Sequence, residues 1–267
     1  VPLRKPTNTS TPRSDEDARR VTELAELAGG LAHELRNPLS TVMINLKLLG
    51  EDLRDESADF ADVRRRSLLK VDVLSRETQR LQQLFDEFLH LTGPVTLSET
   101  EVDLSEVVDR LAAFLDPLLA SSHVALTIST PKSDEKKASS SARTTPAICL
   151  GDKNLLSQAI LNLAINAHQA MPDGGTLRIA TGTTKDETWV TVSDTGVGIA
   201  PQDYQRILKP FFSTKAKGTG LGLSITRRII QEHGGSLTFS SELGKGTTFT
   251  IRLPGVSRSD TKREDKG

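Results

Sequence analysis

Along the first third of the chain, apolar positions recur in alternating steps of three and four. Leu35, Leu39, Val42, Leu46, Leu49 and Leu53 carry one such stripe, and Leu24, Leu27 and Leu31 extend it backwards. The spacing predicts a helix from about residue 15 to about residue 56. A second stripe, Val71, Leu74, Thr78, Leu81, Phe85 and Phe88, predicts a helix from about 62 to about 91. Seams of this kind pack helix on helix in the coiled-coil manner. The short connection predicts an antiparallel hairpin. A lone hairpin leaves much of each stripe bare, so the pattern predicts a homodimer closed as a four-helix bundle.

Pro38 lies inside the first helix and cannot donate to the carbonyl of Glu34, so a bend or loosening is expected just past His33. Gly93-Pro94 stops the second helix. The texture then changes. Short alternating runs at 101–104, 124–129, 148–150, 176–183 and 187–193 read as strands. Helices are expected at 104–120, from Gly151-Asp152 to Met171, and at 220–233, with a closing hairpin at 235–253. Strands broken by helices indicate an α+β domain. The expected division is a polar lead-in at 1–14, the helical hairpin at 15–92, a linker at 93–100, the α+β domain at 101–254 and a charged tail at 255–267. Residues 130–146, rich in Ser and Lys, read as a surface loop.

Composition narrows the class. Thirty-four basic residues face 35 acidic ones, a net charge of -1, which gives no overall basic field for nucleic acid. No apolar run approaches the ~18 residues of a membrane span, so no membrane contact is expected within this chain. The opening residues VPLRKPTNTSTPRS have no apolar core of a signal peptide. A chain that opens on Val reads as a piece of something longer, whose parent is free to carry an anchor upstream. The single cysteine, Cys149, excludes an internal disulfide and a multi-cysteine metal site. A reducing, cytoplasmic setting is expected.

Two groups of residues carry chemistry. At about 100° per residue, His33 points away from Leu31 and Leu35 and into solvent. Asn37 shares its face one turn on, and Glu34 is adjacent. An imidazole is a good nucleophile near neutral pH, and a neighbouring carboxylate can take its proton. Taken alone, a His and a Pro on a helix are more often a solvated face, so the chemical reading needs a phosphate donor elsewhere in the chain.

The second group supplies one. Asn162 and Asn166 share a helix face, and an amide oxygen suits Mg²⁺. Asp194 ends a strand at a tight turn with Gly196 and Gly198. Gly218, Gly220 and Gly222 precede a helix, with Lys215 and Lys217 nearby. Such a glycine-rich helix entry offers N–H groups to phosphate. It is neither a Walker motif nor a Rossmann fingerprint. Each piece is weak singly; in this order they are hard to explain as plain turns and caps.

In these segments the sequence resembles the sensor histidine kinases. HELRNPLS is similar to their H-box, NLAINAHQAMPDGG to the N-box and DTGVGI to the first glycine box. KPFFSTK is similar to the F-box, GTGLGLSITRRIIQEHGG to the second glycine box and GKGTTFTIRLP to the terminal strand. The texture is nearest the nitrogen-regulatory type. Leu208-Lys209 departs from the family, in which Phe and an acidic residue are commoner before Pro-Phe-Phe.

The resemblance implies a dimerising phosphotransfer hairpin followed by a Bergerat-fold ATP-binding domain, an α/β sandwich. It implies that His33 is the phosphoacceptor, Glu34 its acid–base partner and Asn37 the residue that places water for phosphatase action. Asn166 would hold Mg²⁺, with Asn162 beside it. Asp194 would read the adenine amino group, in a pocket shaped by Gly196, Gly198 and Ile199. Thr214, Lys215, Gly218, Thr219, Gly220, Leu221 and Gly222 would form the lid and phosphate side, and Thr248 would join the nucleotide contacts. ATP and Mg²⁺ are then the expected cofactors, and a response-regulator receiver domain is the expected partner. The rivals at this stage are a Bergerat-fold ATPase of another class, with the hairpin as a scaffold, and a degenerate kinase.

Overall fold

The computed structural model describes residues 12–55, 59–129, 147–215 and 218–255. The start of the expected lead-in, the 130–146 loop, Lys217 and the tail from 256 lie outside the described residues. The chain divides into two compact units, residues 1–92 and 93–267.

The first unit is a helical hairpin of α1 (Pro12–Asp52) and α2 (Phe60–Thr92). Asp59 starts α2, its carboxylate accepting the N–H groups of Ala61 at 3.0 Å and Asp62 at 3.4 Å. Across the turn, Asp52 pairs with Lys70 and, at 3.7 Å, with Arg66. The inward face of α1 carries Leu35, Pro38, Val42, Asn45 and Leu49, and that of α2 carries Leu74, Leu81, Leu84 and Phe88.

The hairpin covers only part of each stripe, as the pattern implied. Leu35, Val42 and Leu49 turn inward, whereas Leu39, Leu46 and Leu53, alternating with them, stay exposed. Val71 and Phe85 are likewise exposed on α2. Each predicted stripe therefore spans two adjacent faces, and the hairpin covers one of them.

The second unit begins with β1 (Thr100–Asp103) and α3 (Leu104–Ser121), then β2 (Val124–Ser129), β3 (Ile148–Gly151) and α4 (Lys153–Gln169). It continues through β4 (Gly175–Thr183), β5 (Glu187–Asp194), α5 (Gly222–Glu232), β6 (Ser236–Glu242) and β7 (Gly246–Pro254). The five-stranded sheet has the order β2-β4-β5-β7-β6, and β1 pairs with β3 as a separate ribbon. Among the described strands, only the β2–β4 pair is parallel.

Alternation gives the sheet one apolar face, including Leu177, Ile179, Val190, Val192 and Ile251. The three helices cover it with Leu115 and Leu119, Ile160 and Leu163, and Ile225 and Ile229. Cys149 is buried, as its apolar setting implied, and burial pushes its thiol up to about 11.

Two caps fix the helices that carry the site. Asp152 caps α4 through the N–H groups of Asn154 at 2.9 Å and Leu155 at 3.2 Å. Burial opposes its charge, but the N–H groups of Leu155, Ser98 and Asn154 outweigh that and hold the carboxyl below its ordinary range. His233, at the end of α5, is buried. Its Nε2 accepts the Asp152 N–H at 2.9 Å, which leaves the proton on Nδ1 for the Ile229 carbonyl at 2.7 Å. One imidazole thus ties the end of α5 to the start of α4.

Candidate functional site

In the helical unit, His33 and Asn37 are exposed on α1, and Glu34 is half-buried. The helix continues through Pro38, whose ring is buried. In the turn that follows, the Ser40 hydroxyl donates to the Arg36 carbonyl at 2.8 Å and Thr41 to Asn37 at 3.3 Å. His33 thus faces solvent, and Glu34 is its neighbour in sequence.

In the second unit, the other candidates gather at the end of α4, the end of β5 and the start of α5. Asp194 closes β5 on the helix-covered face of the sheet and is 9% exposed. Its Oδ1 accepts the N–H of Gly196 at 2.9 Å and of Thr247 at 3.2 Å. Burial pushes its carboxyl up, against the pull of those two N–H groups and the Lys215 charge.

The loop after β5 then crosses the end of α4, where Val197 N–H bonds the Ala170 carbonyl at 3.0 Å. Gly198 has φ +69°, and a Cβ there would stand 2.2 Å from the Glu242 carbonyl oxygen. No other residue fits that crossing. Ile199 follows half-buried, its N–H on the Ser241 hydroxyl at 2.8 Å.

Asn162 and Asn166 lie one turn apart on α4. Asn162 Nδ2 reaches the Gly222 carbonyl at 3.5 Å and so touches the first residue of α5. The Asn166 Oδ1 accepts the Lys215 ammonium at 3.1 Å. The same ammonium donates to Gln169 Oε1 at 2.7 Å and lies 3.5 Å from the Asn166 carbonyl. Burial pushes the Lys215 pKa down, and the Asp194 charge partly restores it.

A neutral, hard oxygen near the carbonyl end of a helix, already holding a cation, is a donor that fits Mg²⁺. Gly218 lies against the Ser213 hydroxyl, and Gly222 faces the Asn166 amide. Thr219 Oγ1 accepts the Leu221 N–H at 3.4 Å, and Thr214 is exposed. Leu221 is fully buried, and its carbonyl accepts the Ile225 N–H at 2.9 Å and the Ser224 hydroxyl at 2.7 Å.

The base of this segment is strained and braced. Phe211 sits at φ +61°, a conformation that costs an L side chain energy. Gly220, at φ +69°, lies so close that a Cβ would stand 2.5 Å from the Phe211 carbonyl carbon. The Arg206 guanidinium covers the Phe212 ring at 4.4 Å from its centre.

One expectation is corrected. Thr248 pairs in register with Ser193, and their hydroxyls bond at 2.8 Å. Both lie on the sheet face opposite Asp194, so Thr248 is not in the cluster. Its neighbour Thr247 is, through its N–H. Sequence reasoning also passed over Gln169, although it lies three residues past Asn166 and so on the same helix face, a signal that could have found it.

Residues 151–257 match the family described as histidine kinase-, DNA gyrase B-, and HSP90-like ATPase. Residues 23–92 match the His Kinase A (phospho-acceptor) domain. Sporulation kinase C of Bacillus subtilis is 32% identical over 242 residues, covering 91% of this chain and 51% of its own length. Sensor histidine kinase ZraS of Klebsiella oxytoca is 34% identical over 238 residues, covering 88% and 47%. The chain spans about half the length of these curated relatives. The histidine kinase ThkA, solved in complex with the response regulator protein TrrA, shares the fold. Its TM-score is 0.66 at 21% identity, covering 95% of this chain and 69% of that one. Among the described residues, no helix is long and apolar enough to cross a membrane.

Proposed function

From a His Kinase A phospho-acceptor domain, a histidine kinase-type ATPase domain and similarity to sensor histidine kinases, we infer that the chain is a histidine kinase core. On that premise we propose that it phosphorylates His33 from ATP and passes the phosphoryl group to an aspartate of a response-regulator receiver domain. The observation that carries this is the pairing, in one chain, of an exposed His33 beside Glu34 with the Asn166–Asp194–Lys215 cluster.

Phosphoryl transfer asks a protein mainly for positioning and charge neutralisation. Asp194 accepts the adenine amino group while its Oδ1 is held by Gly196 and Thr247. The N–H groups at the start of α5 face the phosphates, and the Lys215 ammonium offsets their charge. Asn166, with Asn162 beside it, would hold Mg²⁺, which when bound screens the phosphate oxygens. The imidazole of His33 forms a nitrogen–phosphorus bond as the bond from the γ-phosphorus to the bridging oxygen breaks. ADP leaves, and Glu34 takes the imidazole proton. Asn37, exposed one turn away, would place the water that hydrolyses the partner's phosphoaspartate.

The receiver partner is supported by the family and by the fold neighbour solved with a response regulator protein. The outward apolar faces of α1 and α2 support a homodimer. A kinase that consumes ATP works where ATP is, so this part of the chain belongs in the cytoplasm.

Labelled ATP with Mg²⁺ should give an acid-labile, base-stable phosphoprotein. His33→Ala should abolish the label while leaving binding of a fluorescent ATP analogue intact. Label that persists in the variant would sink the assignment. ATP hydrolysis without any phosphoprotein would favour a plain ATPase on the same fold.

A further inference from the structure

We propose that Gln169 is a positioning residue that latches the lid segment onto the end of α4. It does so by holding Lys215 on the oxygen that the metal would take. This rests on the reading of Asn166 as the metal-side residue of an ATP site.

The geometry is a small cradle for a cation. The Lys215 ammonium has three protons, and three oxygens surround it: Gln169 Oε1 at 2.7 Å, Asn166 Oδ1 at 3.1 Å and the Asn166 carbonyl at 3.5 Å. The shortest of these contacts is to Gln169, the last residue of α4. The carbonyl end of a helix favours a cation, and Asp194 adds its charge. Ser213 braces the same stretch, its hydroxyl accepting the Lys215 N–H at 3.1 Å and donating to the Lys215 carbonyl at 3.2 Å.

The Asn166 oxygen cannot serve both cations closely, because Mg²⁺ binds oxygen at about 2.1 Å and repels an ammonium held there. Lys215 is therefore a counter-ion tethered at the Asn166 oxygen. Where Asn166 holds Mg²⁺ with the nucleotide, Lys215 would leave that oxygen and its ammonium would turn to the phosphate oxygens. Gln169 sets how much this exchange costs.

The test uses the full chain with Gln169→Leu and Gln169→Glu. Leucine keeps the bulk and removes the acceptor; glutamate keeps an acceptor and adds charge. Gln169 is exposed, so neither change touches the core. Hydrogen exchange of the amides of residues 208–215 is followed without nucleotide. Gln169→Leu should speed it about tenfold or more, the loss of one hydrogen bond to a charged group, and Gln169→Glu should not speed it. In titrations of a fluorescent ATP analogue, the Mg²⁺ midpoint should fall in the leucine variant and rise in the glutamate one. At saturating Mg²⁺ and nucleotide the three proteins should exchange alike. Unchanged lid exchange in Gln169→Leu overturns the latch, whether or not the chain binds nucleotide. Absence of analogue binding by the unaltered chain instead overturns the kinase reading, and the nucleotide-free exchange still decides on the latch.

Discussion

Asp194 shows how a single side chain trades stability for function. It is a nearly buried carboxylate with one oxygen fully engaged by backbone N–H groups. Its folded pKa is raised, above all by burial. The stability it contributes is therefore present below the ordinary carboxyl range and is lost as pH rises through the folded value. Asp194→Asn keeps the Oδ1 acceptor and has no charge to desolvate. The variant should melt higher than the unaltered chain near pH 7.5, and the gain should shrink as the pH is lowered toward 4. Its amide would present a donor to the adenine amino group, so analogue affinity should fall about tenfold or more, the scale of one hydrogen bond to a charged group at ~1.5–3 kcal/mol. Calorimetry across pH with a binding titration checks both. A variant that is less stable at neutral pH contradicts the assigned cause of the shift.

At the scale of elements, the two long helices carry more apolar surface than their own hairpin covers. Met43 is 71% exposed, Leu46 53% and Phe85 54%. Soluble helices do not usually leave such a row bare. A second copy packing through this face, as proposed, would bury it and complete a bundle of four. Burying one such side chain is worth about 1.5–3 kcal/mol, and symmetry counts it twice. Leu46→Glu and Phe85→Glu should each weaken dimerisation at least ~10-fold, as read by light scattering across a dilution series. If both behave as the unaltered chain, this face is not the dimer contact. The stripe was legible in the sequence, but its division was not. A heptad pattern gives spacing, and only packing against α2 sets how far α1 is rotated about its axis.

At the scale of the molecule, the two units separate the chemistry. Residues 93–267 contain their own core and every residue proposed for the nucleotide site, whereas His33 belongs to residues 1–92. The second unit expressed alone should bind the ATP analogue with an affinity close to that of the full chain and should form no acid-labile phosphoprotein. Loss of analogue binding in the isolated unit would show that the hairpin helps to build the nucleotide site. Distant tethers such as that of His233 to Asp152, 81 residues apart, make the unit cohere.

What was legible in the sequence is local. Periods of three and four wrote α1 and α2, alternation wrote the strands, and Gly93-Pro94 ended the hairpin. The same holds for Asn166, Asp194 and the glycines, because their spacing along the chain carries the pattern of a nucleotide site. What folding alone settled is relational. Thr247 rather than Thr248 meets Asp194 because strand register decides which neighbour faces the helices. Gln169 and Lys215, 46 residues apart, meet because the lid folds back onto α4. Leu35 turns inward and Leu39 outward because a partner helix fixes the rotation. Short-range spacing restricts the backbone within a few residues; a face, a register or a contact exists only once two distant segments are packed together.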